Sequence, residues 1–421
     1  MHRFNTVATG TCLLVSLITA SAATVCVNPL GTAGCQKSIS AAVAAASAGS
    51  TVYVAPGTYA ENVTIGKSLS LIGADPAKTV IDATGLPNGI TVDGLNNANL
   101  SGVYIAGFTV RNAKYEGIVV TNATAVIISG NILTGNDESL AFGAMGPTCP
   151  GIPAWETGED FDCGEAIHLS GVNHSSIVNN TIQGNAGGIL LSDDSGPTHD
   201  NLITGNNVSD NPSDCGITLA SHPPAPSTGS TDHFGVYSNY IVSNTSAQNG
   251  LKGEGAGVGI FAADPGAKAY ANIVVNNTLT GNDLPGIAFH GHTPNQVMDN
   301  HVMIGNTISG NGADTDDAAT PGTTGIVFFS VSPVNGTIIA QNNISGQQIS
   351  VAWNAPGNAE VHRNILGGPI GILNQDGGTV NAEANWWGCG GDPTSNIAFF
   401  AGCSVIRGAV AVTTWLPAAP K

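Results

Sequence analysis

Positive charge is scarce in this chain: 11 lysines and arginines stand against 29 acidic residues, for a net charge of −18. Nucleic acids and anionic membrane surfaces are held by clusters of Lys and Arg, so neither is expected as a partner. The same shortage weighs against strongly anionic polymers as substrates. Charged residues of either sign make up only 10% of the sequence and aromatic residues 5%, yet 42% is hydrophobic. That is too much for a disordered chain. No CxxC pair and no Cys/His spacing of a zinc site occurs. Beyond the N-terminal segment, no stretch is long and apolar enough for a transmembrane helix.

The N-terminal segment, residues 1–22, reads as a secretory signal. His2 and Arg3 form a short basic region, residues 12–19 an apolar core, and Ala20-Ser21-Ala22 a small-residue cleavage site. The expectation is a protein secreted, periplasmic or displayed at the cell surface, monomeric and not inserted into a membrane. Cys12 leaves with the signal, and seven of the eight cysteines remain. Local pairs are expected between Cys26 and Cys35, Cys149 and Cys163, and Cys389 and Cys403, with Cys215 left as a buried thiol.

Glycine is abundant, at 56 residues, as suits short strands joined by many turns. Residues 38–47 (SISAAVAAAS) predict a short helix, and 51–55, 62–65 and 68–72 predict strands. From Gly89 the chain repeats. One strand type opens on Gly or Ala and an aliphatic, as in Gly117-Ile118, Ala166-Ile167, Gly188-Ile189, Gly216-Ile217, Gly259-Ile260 and Gly286-Ile287. A second has the form N-x-[aliphatic]-x-G-N, as at 131–136, 180–185, 206–211, 277–282 and 306–311, with looser copies at 239–244, 342–347 and 363–368. Ala166 and Gly188 lie 22 residues apart, the length of one solenoid coil. Alternate aliphatics point inward, and Asn tolerates left-handed corners and can stack in ladders. Residues 23–50 therefore read as an N-terminal cap, 51–385 as an all-β parallel solenoid, and 386–421 as a C-terminal cap covered by Trp386 and Trp387. Insertions are expected at 137–163, 222–232 and 312–324.

Stacking the first strand type on Ile167, Ile189, Ile217, Ile260 and Ile287 brings distant polar residues onto neighbouring coils, about 4.8 Å apart. The result is an exposed groove or ridge flanked by the first two insertions. Two carboxylates on neighbouring coils can serve as acid and base across a glycosidic bond. Asp193 or Asp194 supplies one, Asp264 or Glu165 the other, with His222 or His290 assisting proton transfer. His168, Ser170, His199, Asp200, His292 and Trp155 are the candidate substrate-binding residues. No cofactor is required and no residue is assigned to a metal, although the abundance of oxygen ligands admits Ca²⁺. Lyase or epimerase chemistry on a uronate needs cationic groups, which the middle repeats hold only as Lys252 and Lys268.

The stretch SISAAVAAASAGSTVYVAPGTY, the N-x-I-x-G-N repeats and NWWGC resemble right-handed parallel β-helix proteins of the pectin-lyase-like superfamily. Within it they are similar to the secreted bacterial branch with CASH and NosD-type repeats. Asp193-Asp194 resembles the paired aspartates of β-helical polygalacturonases. Their Arg-Ile-Lys motif does not occur here, and a Gly-His pair occurs only as Gly291-His292. The resemblance implies the scaffold. The function expected is binding or processing of a polysaccharide or cell-surface glycan, hydrolysis being favoured over elimination. The alternative is a non-catalytic β-helix serving adhesion or metal handling.

Overall fold

Inward-facing aliphatics at every second position, interrupted by turns, fold each repeat into one coil of three short strands. Glu165–Ser170, Ser176–Val178 and Thr181–Gln183 form one coil; Gly187–Ser192, Leu202–Thr204 and Asn207–Ser209 belong to the next. Equivalent strands of successive coils pair in parallel and build sheets of 12, 14 and 11 strands. The computed structural model describes residues 23–143, 146–158, 163–315, 319–375, 377–395 and 402–420. The expected signal at 1–22 and parts of the first and third insertions lie outside them. The architecture is the right-handed parallel β-helix that the repeat implies.

Inside the coil, Ile118, Ile167, Ile189 and Ile217 stand in register and are essentially inaccessible. One position departs from the sequence reading: Val258, not Ile260, stands between Ile217 and Ile287. A slip of two residues keeps both side chains facing inward, so hydrophobic alternation cannot tell the two registers apart. The shift sets Phe261 beside His290 on the outer face. Farther along, Phe289 stacks on Phe328 with ring centroids 4.0 Å apart, Trp353 follows, and Trp387 is buried at the end of the core. Trp386 stays half-buried and bridges to Ile365.

The first described residues form a strand and then the helix Ile39–Ala45, which buries Ile39, Ala42 and Val43 over the open coil. Ser38 caps it by accepting from Ala41 N, and the Glu61 carboxylate accepts from Ile39 N and Ser40 N. Lys67 donates to the Ala44 and Ala46 carbonyls at the other end. All three expected disulfides are present, and Cys215 is a buried thiol outside them.

Two asparagine ladders run along the corners. One joins Asn131, Asn180, Asn206, Asn244, Asn277, Asn306, Asn342, Asn364 and Asn385; the other runs from Asn136 to Asn311. After the first rung, each Oδ1 accepts the backbone N–H and the side-chain N–H of the Asn one coil earlier, as Asn206 does for Asn180 at 2.9 and 3.0 Å. The looser repeat at 239–244 is thereby corrected. Asn244 joins the first ladder, while Asn239 belongs to a third, shorter one with Asn201 and Asn272.

His301 follows Asn272 in that third line, since Val302 pairs with Ile273. Its Nε2 donates to the Ala269 carbonyl at 2.9 Å, and burial lowers its pKa to about 4. An unfolded His takes its proton near 6.5, so the unfolded chain binds more protons in the window between. Stability therefore falls as pH drops from about 6.5 to 4, by on the order of 3 kcal/mol from this group. His301→Asn places an amide in the line of amides and removes the titration. The urea midpoint of the wild type should fall across that window and that of the variant should fall less; identical curves would clear His301 of any part in it.

Candidate functional site

The outer face of the 12-stranded sheet is not the open ridge the stacking suggested. The first insertion, closed by Cys149–Cys163, folds back over it and sets the Trp155 ring 5.8 Å from that of His168. Tyr115 holds this loop by donating to the Gly151 carbonyl at 2.6 Å. His168, Ser170, Ser192, Asp193 and Asp194 are buried beneath the two loops.

Asp193 and Asp194 spend their oxygens on the protein itself. Asp193 accepts from Gly235 N at 2.6 Å, His222 N at 2.7 Å and Ser221 Oγ at 3.1 Å, pinning both ends of the second insertion. Burial pushes its carboxyl up, against the opposing pull of those amides and His222. Asp194 accepts from Thr157 N at 2.8 Å, from His222 Nδ1 at 3.2 Å and from the Ser192 hydroxyl. Burial works against its charge, but His222, and then His168 and Ser192, hold its carboxyl well below the usual range. Neighbouring aspartates thus differ because one meets mainly amides and the other an imidazole. Burial lowers the pKa of His168 to about 4 and raises that of Glu156 to about 8, the latter helped by the charge of Asp194.

What remains open is a cleft of about 490 Å³ over the coils that follow. His222, Asp264, His290 and His292 line it together with Phe261, Asp214 and Glu254. His290 is fixed by Asp314 from the third insertion and lies 3.3 Å from His292 Nε2. A second cleft of about 510 Å³ shares Asp214 and Glu254 and adds Lys252. Glu165 is buried at this margin: a Cβ on Gly187 would lie 3.2 Å from Glu165 Oε1 and 3.1 Å from Asp214 Oδ2. Glycine here lets the two carboxylates flank one strand start.

Of the residues singled out from sequence, the structure brings His222, Asp264, His290 and His292 to one cleft. His199 and Asp200 lie elsewhere, at a coil corner, where His199 stacks on Tyr237 and Tyr237 on Tyr270, centroids 4.8 and 4.9 Å apart. Sequence reasoning placed Asp214 in the polar cluster but gave it no role, and missed Glu254, Asp314, Glu116 and Glu156. A signal existed for Glu116: it stands two residues before Ile118 as Glu165 stands before Ile167, and these isoleucines pair.

Known proteins agree on the scaffold. Residues 43–250 match the family model described as periplasmic copper-binding protein (NosD). No curated protein matches the sequence. Among solved structures, the Dettilon tailspike protein is 13% identical with a TM-score of 0.55, over 89% of this chain and 64% of that one. The DFA-IIIase of Arthrobacter chlorophenolicus A6 is 12% identical with a TM-score of 0.54, over 87% and 88%. The catalytic domain of a GH87 alpha-1,3-glucanase, solved with tetrasaccharides, is 14% identical with a TM-score of 0.51, over 86% and 63%. The chain thus spans less than two thirds of the tailspike and glucanase chains. It is a right-handed parallel β-helix repeat protein, and its first half is similar to NosD.

That family description names copper, and the donors among the described residues do not make a copper(I) centre. Copper(I) takes thiolate and thioether ligands. Cys215 sits in a small apolar cluster with Ala256 and Val327, whereas Met298 and Met303 belong to the main core. The donor groups that converge among the described residues carry oxygen and imidazole: Glu116, Glu156 and His168 inside, and His174, His199 and Asp200 at the surface.

Proposed function

We propose that the cleft over the middle coils holds a segment of a neutral polysaccharide and that its carboxylates hydrolyse it. The observation that carries this reading is the convergence of Asp214, Glu254, Asp264, His222, His290 and His292 on one cleft beside the loops. Acids from neighbouring coils on two sides of a bound chain supply the proton donor and the base that glycosidic cleavage needs. Phe261 offers an apolar floor for a sugar face. Asp193 and Asp194 act here as positioning residues that fix His222 and the loops, because their oxygens are already engaged. Among the described residues no lysine or arginine lines this cleft, Lys252 lying in the adjoining one, which favours an uncharged polymer over a uronate. Three disulfides and the match to a periplasmic family support an extracellular or periplasmic setting. The glucanase likeness supports trying an alpha-1,3-glucan first.

The test is release of reducing ends from a panel of neutral polysaccharides. Asp264→Asn and Asp214→Asn should each lower turnover by about 10²- to 10⁴-fold, the usual worth of general acid–base catalysis, with binding retained. Binding without release by the wild type would leave a recognition groove and remove the hydrolase. Neither binding nor release on any neutral glycan would end the reading.

A further inference from the structure

We propose that Glu116, Glu156 and His168 hold a divalent transition-metal ion of the Zn²⁺ or Mn²⁺ class, clamping the first insertion to the sheet. The three residues come from three places: the strand Glu116–Thr121, the insertion, and the strand Glu165–Ser170 on the next coil. One ligand atom from each lies within 4.8 Å of the others. Tetrahedral ligands about 2.0–2.2 Å from a single such ion stand roughly 3.3–3.6 Å apart, and Glu116 Oε1 and His168 Nδ1 are 3.6 Å apart.

The protons decide what belongs between them. The Ser192 hydroxyl has one proton and donates it to Asp194. Its oxygen must then accept from His168 Nε2, 2.8 Å away. That fixes the tautomer: Nδ1 carries a lone pair, and it faces Glu116 Oε1 at 3.6 Å. Glu156 brings two further acceptors, 3% exposed as a residue, and neither oxygen has a hydrogen-bond partner. An imidazole lone pair and carboxyl oxygens thus meet away from water, an arrangement that calls for a positive charge between them: a proton that burial keeps on Glu156, or a metal ion that displaces it. A divalent ion offsets two carboxylates and leaves the buried site neutral.

The donor set selects the class of ion. Ca²⁺ takes six to eight oxygens, and copper(I) takes sulfur. Two carboxylates and one imidazole suit Zn²⁺ or Mn²⁺. The line from Asp194 through Ser192 to His168 is the outer hydrogen bonding that orients a metal-binding imidazole, and Trp155 screens the ring from solvent. The metal site adjoins the glycan cleft through Thr157 and His222 but does not depend on a glycan bound there.

The full protein, purified without chelator, should carry about one equivalent of metal by elemental analysis. After stripping with EDTA it should rebind Zn²⁺ or Mn²⁺ at one site, with its melting temperature raised on loading. Glu156→Gln keeps the side-chain shape and should abolish binding; Ser192→Ala, a positioning change, should weaken it about 10- to 100-fold. Co²⁺ in the wild-type protein should show d–d bands with no thiolate charge-transfer band, a readout that needs no variant to fold. A thiolate band would place the ion at Cys215 and overturn the proposal. So would wild-type affinity in Glu156→Gln, loss of the metal in His199→Ala, or no binding of either ion by the stripped protein.

Discussion

Asp194→Ala should detach both insertion loops at once and lower stability by about 3–5 kcal/mol, the cost of removing one partner from a buried charged network. The carboxylate accepts from Thr157 of the first insertion, from His222 at the start of the second, and from Ser192 of its own coil. Its removal leaves the Thr157 N–H without an acceptor. Thr157 Oγ1 keeps only the Pro223 carbonyl. Limited proteolysis should then cut within 149–163 faster than in the wild type, before the coil unfolds, and the urea midpoint should fall. An unchanged midpoint together with an unchanged cleavage pattern would show that the loops are held by something else. The isosteric Asp194→Asn should do less damage, because its amide oxygen still accepts from Thr157.

The second large effect lies in the ladder. Asn244 Oδ1 accepts both the backbone and side-chain N–H of Asn206, each at 3.0 Å, and its Nδ2 donates to Ile203 O and Asn277 Oδ1. Asn244→Ala therefore strips partners from several buried groups on two neighbouring coils. Each such group costs about 1–3 kcal/mol, so a total loss of about 4 kcal/mol is expected. Asn207→Ala, on the exposed side of the adjacent strand, should change stability by no more than about 0.5 kcal/mol. Chemical denaturation of the pair decides the matter. Equal losses would mean that ladder amides are no better satisfied than surface ones.

The fold was legible because its two structural signals, inward aliphatics and corner asparagines, recur at fixed offsets through the middle coils. Where one signal acted alone, the reading slipped. The segment Gly257-Val258-Gly259-Ile260 fits either of two registers, and the 239–244 copy carries an Asn at each end of a motif shifted by one ladder. Gln347 reads as a conservative replacement in the second ladder, yet its longer side chain is buried with neither amide atom hydrogen-bonded. The site was legible in composition but not in exposure. Alternation gives the side of the strand on which His168 or Ser192 projects; it does not say that residues 149–163 return to cover them. Glu156 could not have been joined to Glu116 from sequence, because the contact depends on that return. Asp314 was hidden for the same reason, reaching His290 only through the third insertion.

The helix Ile39–Ala45 has a consequence beyond the first coil. A parallel β-helix has two ends, each a row of unpaired strand edges around an open apolar bore, and every copy offers the same complementary pair. Head-to-tail addition of such ends has no closing symmetry, so it grows filaments. By seating Ile39, Ala42 and Val43 over one end, and holding its own termini with Glu61 and Lys67, the helix takes away one of the two valences. A seven-residue element thereby covers an end that a structure built by repetition would otherwise leave open.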